Sequence, residues 1–200
     1  MPVSFNAFSD YFQMSEEEIR RSFHSVMEIV ANDTVLTDTF LPQMITRKEA
    51  ELVERMHSKV HGVPGFLFSL DCAHFFWKNC PILWQGVFKN GKHPKPSIVL
   101  EAGVDHDLFF WHAAFGFPGT QNDINVWDRS PLLGSFIDGS FAATVDPIEP
   151  FQIRGEDFER YYMLVDGIYP DLDRFVKMIH VPVGEREKIL AFGRKGRERT

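Results

Sequence analysis

Two aspartates, each placed in a run of strand-forming residues, are the first candidates for chemistry in this sequence. Asp71 lies within the apolar run 65–78, and Asp166 ends the run 161–165, directly before Gly167. A carboxylate inside a buried strand is costly unless it is paired or binds a cation. We therefore expect a sheet to bring both side chains to one site, although the two runs are widely separated in sequence.

Two carboxylates on adjacent strands repel each other, and a divalent cation relieves that repulsion. Mg²⁺ prefers hard oxygen ligands, keeps several waters and takes other ligands from substrate phosphates. Two such ions about 4 Å apart can activate a nucleophile and stabilise the leaving oxygen of a phosphodiester. The pair thus predicts a metal-dependent phosphoryl-transfer site. The alternative is that both aspartates are structural, pairing with a cation or forming a turn.

Hydrophobic periodicity indicates the elements that position the two aspartates. Three antiparallel strands with short connections are expected, followed later by a fourth strand that carries Asp166. Their ranges are 65–78, 97–104, 108–117 and 161–165. This order predicts an α/β, RNase H-like mixed sheet flanked by helices, in which the end of the fourth strand lies beside the first. Asp71 and Asp166 are then neighbours.

The segments between and after the strands carry weaker signals. Helices are expected over 124–136, 171–179 and 185–199. Residues 79–96, rich in Gly, Pro and Lys, predict a loop or hairpin. The pattern over residues 141–160 is ambiguous and is compatible with either short strands or an irregular insertion.

Residues 1–64 predict a short helical N-terminal region ahead of the sheet domain, which we assign to 65–200. Ser15 and Glu18 form a capping-box pattern before a helix over 14–31, and a second helix is expected over 47–60. The first of these helices is a candidate for part of a helix-turn-helix. Its acidic first turn argues against DNA reading and favours simple packing.

Composition bounds the class of protein. The 200 residues are 44% hydrophobic, enough for a real core, and the net charge is −7. No apolar run reaches the ~18 residues that a membrane span needs, so no membrane association is expected. No signal peptide is apparent, and the two cysteines are expected to be reduced thiols.

Several further residues are candidates for supporting roles. Asp123, in a polar loop that opens a helix, either caps that helix or supports the site. His74 has an odd offset from Asp71 and should face the other side of the strand, where it lies in the core or supports the site. Lys78 and Lys92 belong to a stretch without acidic residues, and either contact phosphates or belong to a solvated loop.

A rival site is the cluster Asp105, His106 and Asp107, which would suit an unrelated metal-dependent phosphoesterase. This hypothesis requires the cluster to lie close to Asp71.

Beyond these patterns, several motifs resemble PIF/Harbinger-type DDE transposases of the plant transposon protein branch. The resemblance covers about residues 14–194. It rests on Leu70-Asp71-Cys72-Ala73-His74, Trp77-Lys78-Asn79-Cys80-Pro81, Trp84-Gln85-Gly86, Pro96-Ser97-Ile98-Val99-Leu100-Glu101-Ala102, Trp111-His112, Phe115-Gly116-Phe117-Pro118-Gly119, Asn122-Asp123-Ile124-Asn125-Val126, Asp128-Arg129-Ser130-Pro131-Leu132 and Asp166-Gly167-Ile168-Tyr169-Pro170.

The resemblance implies an RNase H-like nuclease that uses Mg²⁺ (or Mn²⁺) to cut and join double-stranded DNA at transposon ends. By motif, the first two catalytic acids and metal ligands fall on Asp71 and Asp166. The family's third acid lies in a Val-Glu-Arg-Ala-Phe-Gly-like helix that this sequence lacks, so Glu198 is a weak substitute. We therefore expect a domain incomplete at its C-terminal end and impaired in catalysis. The alternative is a non-catalytic remnant that binds nucleic acid or protein.

The resemblance also implies a cellular context. Proteins of this kind often work with a separate Myb-like partner that supplies DNA binding and nuclear import. The expected location is the nucleus, or the cytoplasm when such a partner is absent.

Overall fold

The computed structural model describes residues 5–33, 45–91 and 95–177, apart from the side chains of residues 6, 7 and 10. By their internal contacts, residues 1–42 and 43–200 form two compact units. The second unit includes the helix Arg47–His61, which the sequence analysis assigned to the N-terminal region. Among the described helices, none is both long and apolar enough to cross a membrane.

The first unit is a pair of helices, α1 (Phe5–Phe12) and α2 (Glu16–Asn32). The predicted capping box is confirmed, because Ser15 accepts a hydrogen bond from the Glu18 amide and Glu18 accepts one from the Ser15 amide. Helix α1 was not expected from the sequence. No side chain of α2 is buried, so the apolar face that periodicity placed inward remains exposed within the described residues.

The second unit opens with α3 (Arg47–His61), which is capped at both ends. Thr46 and Glu49 form a capping box at its start, and Gly62 ends it with a left-handed backbone, φ 66°. Its buried side chains are Ala50, Val53 and His57. The first strand follows after a short turn.

A five-stranded mixed sheet forms the centre of the second unit. Its strands are β1 (Phe66–Phe76), β2 (Ser97–Val104), β3 (Phe110–Pro118), β6 (Tyr162–Val165) and β7 (Phe175–Lys177). Their order is β3-β2-β1-β6-β7. Strand β2 is antiparallel to both β1 and β3, whereas β6 and β7 run parallel to β1. The predicted RNase H-like fold class is confirmed, and β1 lies at the centre of the sheet.

Two predicted elements are wrong. Within 79–96, residues Ile82–Phe88 form a helix, α4, which Pro81 precedes and whose Phe88 is buried. No helix forms in the described part of the segment 171–179: residues 171–174 are irregular, and residues Phe175–Lys177 form strand β7, which pairs with β6 and buries Phe175. Tertiary pairing at the sheet edge overrides the local helical pattern there.

The helix expected over 124–136 is interrupted. It consists of α5 (Asp123–Trp127) and α6 (Pro131–Ile137), because Ser130 caps a new helix that has Pro131 in its first turn. The segment 141–160, for which the sequence left two alternatives, contains most of α7 (Ser140–Val145) and a hairpin of β4 (Phe151–Ile153) and β5 (Glu156–Phe158).

The core lies between the sheet and these short helices, and aromatic rings fill much of it. Trp127 contacts Phe136, Tyr169 and Phe175, with ring centroids 5.7, 6.2 and 5.0 Å away. Tilted and edge-to-face ring pairs of this kind add to the stabilisation from apolar burial. The core therefore fixes α5, which carries Asp123, against the carboxyl end of β6.

Gly119 marks a close approach between the loop after β3 and the start of β2. A methyl group there would lie 2.2 Å from Ser97 Oγ and 2.5 Å from the carbonyl oxygens of Phe88 and Ser97. We expect Gly119→Ala to lower the free energy of unfolding by about 1–3 kcal/mol, as overpacking does. Denaturant unfolding measures this effect. Gly134→Ala, in α6 with open space around it, is the control and should be neutral or slightly stabilising. Equal midpoints for wild type and Gly119→Ala would contradict the prediction.

Candidate active site

Asp71 and Asp166 lie side by side on two paired strands, Asp71 in the middle of β1 and Asp166 directly after β6. Leu70 on β1 is aligned with Val165 on β6 in parallel register. Asp71 directly follows Leu70 and Asp166 directly follows Val165, so the two aspartates occupy equivalent positions on neighbouring strands. Neighbouring strands lie about 4.8 Å apart, so the two backbones are close. Both aspartates are exposed, whereas Leu70 and Val165 are buried. The predicted adjacency is confirmed, and the pair faces solvent, where a phosphate can approach.

Each of these carboxylates is held by a neighbouring backbone amide. The Cys72 amide donates to Asp71 Oδ1 at 2.8 Å, and the Gly167 amide donates to Asp166 Oδ1 at 2.6 Å. A hydrogen bond from a backbone N–H stabilises the charged form of a carboxylate. The amides therefore fix one oxygen of each aspartate locally.

Asp123 joins these two aspartates, and its interpretation as a helix cap was wrong. The cap of α5 is Asn122, whose side-chain oxygen accepts from the Asn125 amide at 2.9 Å, while Asp123 is the first helical residue. Burial raises the pKa of Asp123, and the negative charges of Asp71 and then Asp166 raise it further. His74 partly offsets this effect. The structure thus brings a third carboxylate into the electrostatic field of the predicted pair.

Cys72 and His74, which alternate with Asp71 along β1, both interact with Asp123. The Nδ1 atom of His74 lies 2.9 Å from Ser97 Oγ. Cys72 Sγ lies 3.4 Å from the Tyr169 hydroxyl, and burial raises the pKa of the thiol to about 12. Cys72 is therefore a neutral thiol at physiological pH and not a nucleophile. Serine 97 and Tyr169 were not among the predicted site residues, and only tertiary pairing brings them here.

The comparison with protein families decides what kind of chain this is. The family described as plant transposon protein matches residues 43–199, which include the whole sheet and all three aspartates. The chain belongs to the plant transposon protein family. No curated protein and no solved structure matches it significantly. The family match leaves the PIF/Harbinger subtype and the DDE chemistry as predictions.

The remaining predicted residues of this plant transposon protein are placed as follows. Lys78 is exposed in the turn after β1, so either of its two interpretations stays open. Trp84, on α4, is half-exposed and stacks on Phe88, with centroids 5.8 Å apart. Lys92 and Glu198 lie outside the described residues. The predicted third acid at Glu198 is therefore untested, whereas Asp123 is a carboxylate near both aspartates.

The rival cluster does not form part of this site. Asp71 pairs with Ala102, and Asp105 lies three residues further along, about 10 Å at the rise of a strand. Asp105 also has its own role, since Oδ1 accepts from the amides of Asp107 and Phe109 and Oδ2 accepts from Trp111 Nε1. It closes the β2–β3 turn, so the rival hypothesis fails its condition.

Crowding of three carboxylates leads to a stability prediction. We expect Asp123→Asn to stabilise the metal-free protein by about 1 kcal/mol, because the substitution removes a partly buried negative charge beside two others. Solvent screening at this half-exposed site keeps the gain small. Thermal unfolding in EDTA should show a midpoint about 2–4 °C higher.

The pH dependence provides the control for that prediction. The raised pKa of Asp123 means that the folded state keeps its proton to higher pH than the unfolded state. This group therefore costs stability as pH rises from the ordinary aspartate pKa through the raised one. The gain from Asp123→Asn should be present at pH 7 and disappear below about pH 4. A gain that is independent of pH would show that charge is not the cause.

Proposed function

We propose that this protein is a transposase-derived, divalent-metal-dependent DNA endonuclease or strand-transfer domain of the PIF/Harbinger type. The observation that carries the proposal is the adjacency of Asp71, in the middle of β1, and Asp166, directly after β6, whose negative charges also raise the pKa of Asp123. Membership of the plant transposon protein family supports it.

The donor set suits Mg²⁺ or Mn²⁺. Carboxylate oxygens are hard ligands, and the exposed pair Asp71 and Asp166 leaves room for waters and for phosphate oxygens. Burial is the main cause of the raised pKa of Asp123, and the negative charges of Asp71 and Asp166 add to it; a bound cation would relieve that added repulsion. When bound, such an ion would supply a nucleophilic water and neutralise charge on the phosphodiester.

The residues of the chain have distinct proposed roles. Asp71 and Asp166 hold the metal, with one oxygen of each fixed by the amide of the next residue. Asp123 adds negative charge from the start of α5 and completes the cluster where Glu198 was expected to act. His74, which contacts Ser97, supports Asp123 electrostatically. Together, these residues would hold a divalent cation at the exposed pair of aspartates, where it would supply the chemistry described above.

The proposed substrate is double-stranded DNA, by analogy with transposon ends. Lys78, exposed in the turn after β1, is the proposed contact for a backbone phosphate at a distance from the cluster. The overall charge of −7 disfavours broad coating of nucleic acid, so we propose that a Myb-like partner contributes DNA binding and delivers the protein to the nucleus.

Metal binding and plasmid nicking test this proposal together. Mn²⁺ binding is followed by electron paramagnetic resonance, and supercoiled plasmid is incubated with the protein and Mg²⁺ or Mn²⁺, with EDTA as the control. The proposal predicts saturable Mn²⁺ binding and metal-dependent single-strand breaks. Absence of both would refute the nuclease. DNA binding without metal binding or cleavage would instead support the non-catalytic remnant.

A further inference from the structure

Three histidines meet at the end of the sheet remote from the carboxylates. His57 and His61 lie one turn apart on α3, and His106 lies in the β2–β3 turn. Their ring centroids form a near-equilateral triangle, with separations of 5.7 Å for His57–His61, 5.2 Å for His57–His106 and 5.5 Å for His61–His106. One nitrogen from each ring lies within 4.8 Å of the other two.

His57 is the member that a purely structural explanation does not account for. Its side chain is 1% exposed, and neither ring nitrogen makes a hydrogen bond of normal geometry within the described residues. A buried polar group without a partner costs about 1–3 kcal/mol. The ring packs against Phe66 at 4.3 Å, which satisfies its apolar surface but not its nitrogens. The missing partner is therefore a group that contacts imidazole nitrogen.

The surroundings of His106 suit such a partner. His106 Nε2 lies 3.2 Å from Asp107 Oδ1. Metal-bound histidines commonly pair their second nitrogen with a carboxylate, which fixes the orientation of the ring.

We propose that His57, His61 and His106 bind one Zn²⁺ ion that joins α3 to the β2–β3 turn. Two histidines four residues apart on a helix present their nitrogens to one ion, and a third from another element completes a three-histidine set. Zinc–nitrogen distances of about 2.0–2.1 Å require the nitrogens to approach one another by at most about 1.5 Å. Water takes the fourth position.

This site is distinct from the proposed nuclease centre in place and in chemistry. His57 contacts Phe66 at the start of β1, and Asp71 lies five residues further along, about 16 Å at the rise of a strand. Imidazole favours Zn²⁺, whereas carboxylates favour Mg²⁺ and Mn²⁺. We infer a structural role, since the ion would crosslink two elements that the sequence places far apart.

Cobalt substitution tests the proposal on the full chain. Co²⁺ gives intense visible absorption in tetrahedral sites and weak absorption in octahedral carboxylate sites, so its titration reports the histidine site selectively. We expect one Co²⁺ per chain with a tetrahedral spectrum that Zn²⁺ abolishes by competition. His61→Ala and His106→Ala should each weaken Co²⁺ binding at least about a hundredfold, since even indirect support of a ligand is worth 10- to 100-fold. Far-UV circular dichroism checks that both variants are folded.

Two control variants and a stability measurement complete the design. His24→Ala, in the first unit, and Asp71→Asn should both keep the Co²⁺ spectrum, which separates this site from the nuclease centre. Zn²⁺ should raise the unfolding temperature of the wild type and of these controls, because an ion bound only to the folded state stabilises it. An octahedral spectrum, unchanged affinity in both cluster variants, or no thermal shift with Zn²⁺ would each overturn the proposal.

Discussion

Replacing Asp71 with Asn is expected to reduce metal-dependent DNA cleavage by about a hundred- to thousandfold, the range typical for loss of one preorganised electrostatic group. Asn keeps the size of the side chain and an oxygen for the Cys72 amide but removes the charge that we propose holds the metal. Mn²⁺ affinity should fall in the same variant. Plasmid nicking and electron paramagnetic resonance measure the two effects side by side.

The control for this prediction is an acid of the same type outside the cluster. Asp157 lies on β5 in the separate hairpin, where its Oδ1 accepts from Gln152 Nε2 at 2.9 Å. Asp157→Asn should leave cleavage and Mn²⁺ affinity unchanged. If Asp71→Asn cuts DNA as fast as the wild type, the nuclease centre lies elsewhere. Loss of activity in both variants would point to a contaminating nuclease or a global effect.

Replacing Arg174 with Ala is expected to lower the free energy of unfolding by about 3–5 kcal/mol, as loss of one partner of a buried ion pair does. Arg174 donates from Nη1 to Asp146 Oδ1 at 2.6 Å and from Nη2 to Oδ2 at 2.5 Å. Its side chain is only 7% exposed, and that of Asp146 is 14% exposed. The substitution would leave the mostly buried Asp146 side chain without its bidentate partner.

Additional contacts explain why Arg174 should contribute more to stability than an ordinary ion pair does. Its guanidinium lies 5.3 Å from the ring centroid of Phe141 and 5.8 Å from that of Phe136. Arginine stacked on aromatic faces gains cation–π energy as well as packing. The pair joins the start of β7 to the end of α7 and thus closes the core on one side.

Arg160→Ala provides a matched control for the same side chain in solvent. Arg160 pairs with Asp173, and both side chains are more than half exposed. Exposed ion pairs contribute about 0–1 kcal/mol. Urea unfolding of Arg174→Ala and Arg160→Ala should therefore give clearly different midpoints. Equal midpoints would mean that burial of the Arg174–Asp146 pair contributes nothing beyond a surface contact.

The sheet was predictable to the extent that each strand carries its own signal. Strands β1, β2, β3 and β6 follow from local runs of apolar and β-branched residues, and the family motifs placed them in order. The predictions for the segments that form strand β7 and helix α4 were wrong, because short segments have weak local preferences and their neighbours decide which secondary structure they adopt. The interruption between α5 and α6 has a local cause, because Ser130 caps a new helix that begins at Pro131. Hydrophobic periodicity alone does not reveal this break.

The amino-acid sequence by itself determined the strand-borne pair Asp71 and Asp166, because a carboxylate in a strand-forming run is conspicuous without any knowledge of its neighbours. Only the tertiary structure decided that Asp123 joins that pair and that His57, His61 and His106 meet. Their signals are an ordinary helix start, a helical spacing and a turn residue, none of which specifies a partner. Proximity across separate elements depends on how α3, α5 and the β2–β3 turn pack on the sheet, and no local pattern encodes that geometry.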